Sequence, residues 1–178
     1  DDDPRVLRSV RGQVAVATTP GAVRRVRLTP AQPAASEAAV RAILDADVVT
    51  IGPGSWFSSV IPHILVPEIA QALNDTDARV VVILNLSPEA GETHGFTTER
   101  HIHVFSQHAP QLKVDYFLAD EHTATSAGER DNIARAAARL HAQVVFAPLR
   151  EVGEDGTALN RHDPQQLAAA LQALRPAR

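Results

Sequence analysis

The sequence holds no cysteine and no methionine, and few aromatics: one Trp, one Tyr and five Phe in 178 residues. Without cysteine there is no disulfide framework, no thiol nucleophile and no Cys-ligated zinc or iron–sulfur centre. No apolar run approaches the roughly 18 residues of a membrane-spanning helix. An excess of positive charge is missing too: Lys+Arg 17 against Asp+Glu 21 leaves a net charge of -4, which argues against a general binder of nucleic-acid phosphates. With no initiator methionine and an opening Asp1-Asp2-Asp3-Pro4, the chain reads as cut from something longer, and this acidic start does not resemble a signal peptide. There is no G-x-S-x-G elbow, no P-loop lysine and no H-E-x-x-H, so readings as a serine hydrolase, classical NTPase or zinc protease lose their support.

What is present is 44% hydrophobic and 21% charged residues, which suits one globular domain over residues 1–178. Gln13 to Leu28 alternates in a strand-like way around Thr19-Pro20-Gly21, and a hairpin is expected there. Ser36 reads as the cap of a helix carrying Val40, Ile43 and Leu44. Four short runs then lack polar alternation, as buried parallel strands do: Asp47–Ile51, Arg79–Leu84, Val114–Ala119 and Gln143–Phe146. Between them lie helical patterns, one split in two by Pro62 and Pro67, one opened by the capping-box pair Ser126 and Glu129. A last helix opens at Asp163-Pro164. Strands alternating with helices predict an α/β fold: a doubly wound, mainly parallel sheet with an antiparallel hairpin at its N-terminal side.

Ligands of open α/β sheets sit beyond the carboxyl ends of the strands. The loop after Ile51 reads Gly52-Pro53-Gly54-Ser55; its glycines allow a sharp turn and close backbone approach, and the helix behind it would aim amide hydrogens at an anion such as a diphosphate. A tight turn needing glycine for geometry alone reads the same residues. The loop from Asn85 through Gly91-Glu92-Thr93 to Gly95 is long and polar, either a binding loop or a solvated surface. Eight histidines do not make a metal centre: His101 and His103 are two apart on a helix, and His94 has only Glu92 near it in sequence. Asp75 and Asp77 read as a solvated turn, and Arg24, Arg25 and Arg27 as an exposed face. Arg161 either meets a ligand phosphate or pairs with Glu151 or Glu154, and Asp163 reads as a helix cap.

These pieces together resemble the CofD/YvcK family. Ala46-Asp47 followed by Val48-Val49-Thr50-Ile51-Gly52-Pro53-Gly54-Ser55-Trp56-Phe57-Ser58-Ser59-Val60-Ile61-Pro62-His63 is similar to its signature. Asn85, Gly91-Glu92-Thr93 and His101 match its second motif, Arg161-His162-Asp163 resembles its C-terminal triplet, and Gly12-Gln13 fits as well. The composition is most like the actinobacterial members. The resemblance implies a Rossmann-like nucleotide-binding core. Its YvcK branch binds UDP-sugars such as UDP-GlcNAc without catalysis, and supports peptidoglycan synthesis, cell shape and gluconeogenic growth. Its CofD branch is a 2-phospho-L-lactate transferase of coenzyme F420 synthesis that uses Mg²⁺.

On the first branch the implied ligand residues are Gly52, Pro53, Gly54, Ser55 and Ser58 around the diphosphate, Asn85, Gly91, Glu92 and Thr93 on ribose or sugar, and Arg161 as a charge partner. No firm cofactor, metal or catalytic residue follows. A cytoplasmic protein is implied, able to form homo-oligomers and to meet cell-wall-regulatory partners, with no nucleic acid and no membrane span. On the second branch Glu92 and Asp120 would be the carboxylates for magnesium. Two departures stand out: Trp56-Phe57-Ser58 replaces Leu-Tyr-Thr, losing a tyrosine hydroxyl at Phe57, and His63 replaces Asn. The family's N-terminal GGGTG-type loop is absent, so the chain is expected to be the C-terminal part of a longer protein and, alone, to bind UDP-GlcNAc weakly or not at all.

Overall fold

A computed structural model describes residues 8–89 and 91–175; the opening Asp1-Asp2-Asp3-Pro4, and Ala90 in the second loop, lie outside the described residues. The elements run α1 (Gln13–Ala17), α2 (Glu37–Leu44), β1 (Val48–Ile51), a π-helical turn (Trp56–Val60), α3 (Ile61–Ile64), α4 (Pro67–Asp75), β2 (Arg79–Ile83) and α5 (Thr98–His108). They continue with β3 (Tyr116–Asp120), a 3-10 turn (Glu121–Thr123), α6 (Ala127–Ala138), β4 (Gln143–Ala147), β5 (Arg150–Val152), β6 (Ala158–His162) and α7 (Pro164–Ala173).

The four unalternating runs are the four strands of one parallel sheet in the order β1-β2-β3-β4. The register pairs Val49 with Val80, Val82 with Phe117 and Phe117 with Val144. Successive side chains point to opposite faces, so the central strands β2 and β3 are buried on both sides, while the edge strands β1 and β4 are partly exposed. Val80, Val82 and Phe117 share a core with Leu73 of α4, Ile102 and Phe105 of α5, and Ile133 and Ala137 of α6. Val81, Ile83 and Leu118 meet Leu167, Ala170, Leu171 and Leu174 at α7. Right-handed crossovers that always step the same way put α4, α5 and α6 on one face, leaving the other to α7. The α/β, Rossmann-like class is therefore realised with helices on both faces. The strand order reverses nowhere among the described residues, so β1 and β4 are its edges.

Local signals behave as expected. Pro62 and Pro67 stand at the starts of two separate helical pieces, α3 and α4, where a missing N–H costs nothing. Ser126 and Glu129 form a reciprocal capping box at α6, and the Asp163 carboxylate caps α7 by accepting from the amides of Gln165 and Gln166.

The N-terminal hairpin is not formed. Gln13–Ala17 is a single helical turn, and residues 22–28 adopt no regular structure and pair with no strand among the described residues. The apolar residues of the segment are covered all the same. Val23, Val26 and Leu28 are half-buried, with Val23 and Val26 against the main core, while Arg24, Arg25 and Arg27 face out. The segment is pinned by the Val26 amide, which donates to His108 Nε2 at 3.2 Å, and by the Gln13 side chain, which donates to the Ser58 carbonyl at 2.9 Å. A hairpin does form elsewhere: β5 and β6 pair antiparallel across Asp155-Gly156, with the Thr157 amide and hydroxyl donating to Asp155. Its residues are too polar to show alternation.

Asp163→Ala removes the α7 cap and should lower stability by about 1 kcal/mol in urea unfolding, without loss of the folded state.

Candidate functional site

The carboxyl ends of β1, β2 and β3 carry the loops that chemistry would use. Gly52 has φ +80°, and a Cβ there would lie 2.9 Å from the Ile83 carbonyl, so the bend after β1 closes against β2 only because residue 52 has no side chain. Gly54 has open space around it, with only Ser59 at 4.0 Å. The Asn85 side chain, at the end of β2, brackets Gly54 on both sides: it accepts from the Gly54 amide at 3.1 Å and donates to the Gly54 carbonyl at 3.0 Å.

Glu92 reaches across from the second loop. One oxygen of its buried carboxylate accepts from the amides of Phe57 at 2.8 Å and Ser58 at 3.3 Å, at the start of the π-helical turn. The helix start that was expected to receive a ligand's diphosphate thus receives a carboxylate of the protein, for the reason a phosphate would bind there: amide hydrogens without helical partners attract an anion. The amides of Gly54, Phe57 and Ser58 are all spent on protein oxygens. Thr93, fully buried, accepts from the Glu89 amide at 2.9 Å, and Gly91 (φ +97°) sits against the carbonyls of Thr19 and Ala17. Ser58, Glu92 and Thr93 therefore face the interior and hold the two loops together.

Beside this arrangement stand Ser55, Asn85 and Glu89, all half-buried. The Ser55 hydroxyl donates to Glu89 and the Asn85 amide group lies 3.5 Å from its Oε1. Burial pushes the Glu89 carboxyl above its ordinary value, the Ser55 hydrogen bond opposes this, and the nearby Glu92 charge adds to it. No motif pointed to Glu89; its position in the fold singles it out.

A second polar group sits beside β3. Asp120, 1% exposed, accepts from the Leu149 amide at 2.9 Å, from Arg150 Nε at 2.8 Å and from the His122 amide at 3.2 Å. Arg150 also donates to the Leu86 carbonyl, so it ties β5 to the loop after β2. Burial raises the Asp120 carboxyl, but these hydrogen bonds and the Arg150 charge outweigh it and hold it below its ordinary value. His162 is the inward member of the Arg161-His162-Asp163 triplet. Burial and the Arg150 charge push its imidazole down, against the Asp120 charge and a hydrogen bond to the Leu84 backbone. Arg161 points outward and pairs with Glu151.

His101 is 4% exposed, donates from Nδ1 to the Thr97 carbonyl at 2.9 Å and packs on Trp56 and Phe96. Burial pushes it down, toward the neutral form. Phe57 is fully buried against Phe96 and His108, so the hydroxyl absent at this position would not have faced a ligand in this arrangement. Trp56 Nε1, Glu92 Oε1, His101 Nε2 and His162 Nε2 are buried without a hydrogen-bond partner among the described residues. Such groups are rare in interiors, and here they gather around the loops beyond β1 and β2. No group of three His, Cys, Asp or Glu able to hold a metal occurs among the described residues. Two cavities lie elsewhere: about 490 Å³ between α2 and α4, and about 630 Å³ at the amino ends of the strands, around Arg79, Lys113 and Arg139.

The profile described as 2-phospho-L-lactate transferase CofD matches residues 4–159. The chain belongs to the CofD family. Gluconeogenesis factors, as their descriptions call them, are similar along almost its whole length. That of Mycobacterium tuberculosis is 53% identical over 172 residues, covering 97% of this chain and 49% of that protein. That of Mycobacterium leprae is 50% identical over 173 residues, covering 97% and 47%. The chain thus spans about half the length of these curated relatives. A crystal structure from Bacillus halodurans, described as a member of the UPF0052 family, superposes with a TM-score of 0.74 at 27% identity, covering 92% of this chain and 55% of that one. This CofD-family chain has no helix among its described residues that is long and apolar enough to cross a membrane.

Glu92→Ala leaves two buried amides without an acceptor and should cost about 2–4 kcal/mol, whereas Glu92→Gln, which keeps an acceptor oxygen, should cost less than half of that in the same urea titration. Asp120→Asn should cost about 3 kcal/mol near neutral pH by breaking a buried pair. Because the folded-state pKa of Asp120 lies below the ordinary 3.8, its contribution is complete above that value and is lost as pH falls through the lower one. The wild-type-to-variant gap, measured by urea unfolding across a pH series, should therefore shrink below about pH 4; a gap that widens on acidification would contradict this assignment.

Proposed function

We propose that this CofD-family chain supplies part of a non-catalytic site for a nucleotide sugar such as UDP-GlcNAc, in a regulator of peptidoglycan synthesis, cell shape and gluconeogenic carbon use. The carrying observation is the gathering of unspent polar groups at the carboxyl ends of β1 and β2, where open α/β sheets place their ligands. Ser55, Asn85 and Glu89 stand together there, with Trp56 Nε1, Glu92 Oε1 and His101 Nε2 unpartnered behind them. The remainder of the site belongs to the part of the relatives' length that this chain does not span. Self-association and cell-wall-regulatory partners are part of the same proposal, as is a cytoplasmic location.

The description of the matching profile favours a second reading, 2-phospho-L-lactate transfer, for which the family resemblance implies magnesium. Its two candidate carboxylates do not fit the metal. Glu92 holds the amides of Phe57 and Ser58 through Oε2 and keeps only a buried Oε1, and both oxygens of Asp120 are taken, by Leu149 and Arg150. Hard-cation sites need carboxylate oxygens free to turn toward the ion.

Isothermal titration calorimetry on protein spanning the relatives' full length should give saturable binding of UDP-GlcNAc, with GDP and NAD giving less. Residues 1–178 alone should bind weakly or not at all. Absence of UDP-GlcNAc binding by the full-length protein, or formation of product from a guanylylated phospholactate and a deazaflavin acceptor, would overturn the regulator reading.

A further inference from the structure

The donor and acceptor balance at the glycine bend points away from phosphate. Three of the amides there are already taken: Gly54 is held by Asn85, and Phe57 and Ser58 by Glu92. What stands beside them is instead an acceptor. Glu89 is half-buried, its backbone is fixed by the Thr93 hydroxyl, which accepts from its amide at 2.9 Å, and its carboxylate is steered by the Ser55 hydroxyl and the Asn85 amide group. A carboxylate offers about four lone-pair sites, of which these two contacts use two. Two remain, on a group whose partial burial strengthens every hydrogen bond it makes. A negatively charged phosphate would be repelled at that place by Glu89 and by Glu92 behind it. A pair of neighbouring hydroxyls, each a donor, would be matched.

We propose that Ser55, Asn85 and Glu89 form a hydroxyl-recognition subsite, in which the Glu89 carboxylate accepts hydrogen bonds from adjacent hydroxyls of a sugar ring, and that the diphosphate of the ligand lies away from the Gly52–Ser55 bend. This rests on the nucleotide-sugar reading above and deepens it. Both a ribose and a hexose carry such hydroxyls. Glu89 is the specificity-determining residue; Ser55 orients it; Asn85 both orients it and fixes the bend. Two other acidic side chains have their oxygens taken by the protein. Asp120 is saturated by Leu149 and Arg150, and Glu151 is held by Arg161.

The test is calorimetric titration of full-length wild-type, Glu89→Gln and Ser55→Ala protein with UDP-GlcNAc, with UDP, and with its 2′-deoxy and 3′-deoxy forms. Thermal midpoints are measured alongside to establish that the variants fold. Glu89→Gln keeps the shape and removes the charge, and should weaken UDP-GlcNAc binding about ten-fold, the loss expected when charge-assisted hydrogen bonds become neutral ones. Ser55→Ala should weaken it by a smaller factor. A Glu89→Gln penalty seen with UDP-GlcNAc and absent with UDP assigns the subsite to the hexose. A penalty seen with both and lost on one of the deoxy forms assigns it to the ribose. A penalty that persists through both deoxy forms, unchanged affinity, or tighter binding overturns the hydroxyl subsite; tighter binding would return the bend to a phosphate. In each of these outcomes wild-type protein binds UDP-GlcNAc and the nucleotide-sugar reading stands. Wild-type protein that binds none overturns both.

Discussion

Glu92 crosses from one loop to the start of the helix that follows another and gives its carboxylate to two backbone amides. The rest of the ligand-side architecture depends on that contact. It neutralises the positive end of the turn at Trp56–Val60, anchors the loop after β2, and leaves Glu89 three residues away at a fixed distance from Ser55. A buried carboxylate is tolerated only where charge-assisted hydrogen bonds replace its water, and amides at a helix start are among the few groups able to do so. The consequence for chemistry is a change of sign. A bend read as a cradle for anions has three of its amides taken by protein oxygens, with the Glu89 carboxylate beside it.

A second contact organises the other side. Asp120 at the end of β3 joins Leu149 and Arg150 beyond β4, and Arg150 continues to the Leu86 carbonyl beyond β2. This pair fastens the β5–β6 hairpin over the carboxyl ends of the central strands, with Ser87 and Asn160 bonded across the seam at 2.8 Å. Its net contribution to stability is small beside the desolvation it required, but its geometry admits one arrangement of loop, strand and hairpin. His162 takes its place inside that arrangement while its neighbour Arg161 is left on the surface.

Much of the fold was readable from residues. The four strands announced themselves because a strand buried on both faces cannot afford polar alternation, and Val80-Val81-Val82-Ile83 has none. Pro62, Pro67, Ser126 with Glu129, and Asp163 marked helix starts because each satisfies or dispenses with an amide locally. Gln13 to Leu28 misled because an apolar pattern records which side chains are covered and not what covers them: here the main core and His108, with no strand paired to the segment among the described residues. The hairpin at Arg150–His162 left only its Asp155-Gly156 turn as a signal, since its exposed faces carry no pattern.

The sequence by itself determined the α/β class, the strand positions, the loops at the carboxyl ends of the strands and the family, because these follow from periodicity, local capping and short motifs. Tertiary structure alone decided which groups of those loops remain available. Whether an amide is free depends on a carboxylate 35 positions further along the chain, and no local pattern encodes that distance. The same folding sent Glu92 and His101 inward, Arg161 outward, and set Glu89, which no motif marked, beside Ser55 and Asn85.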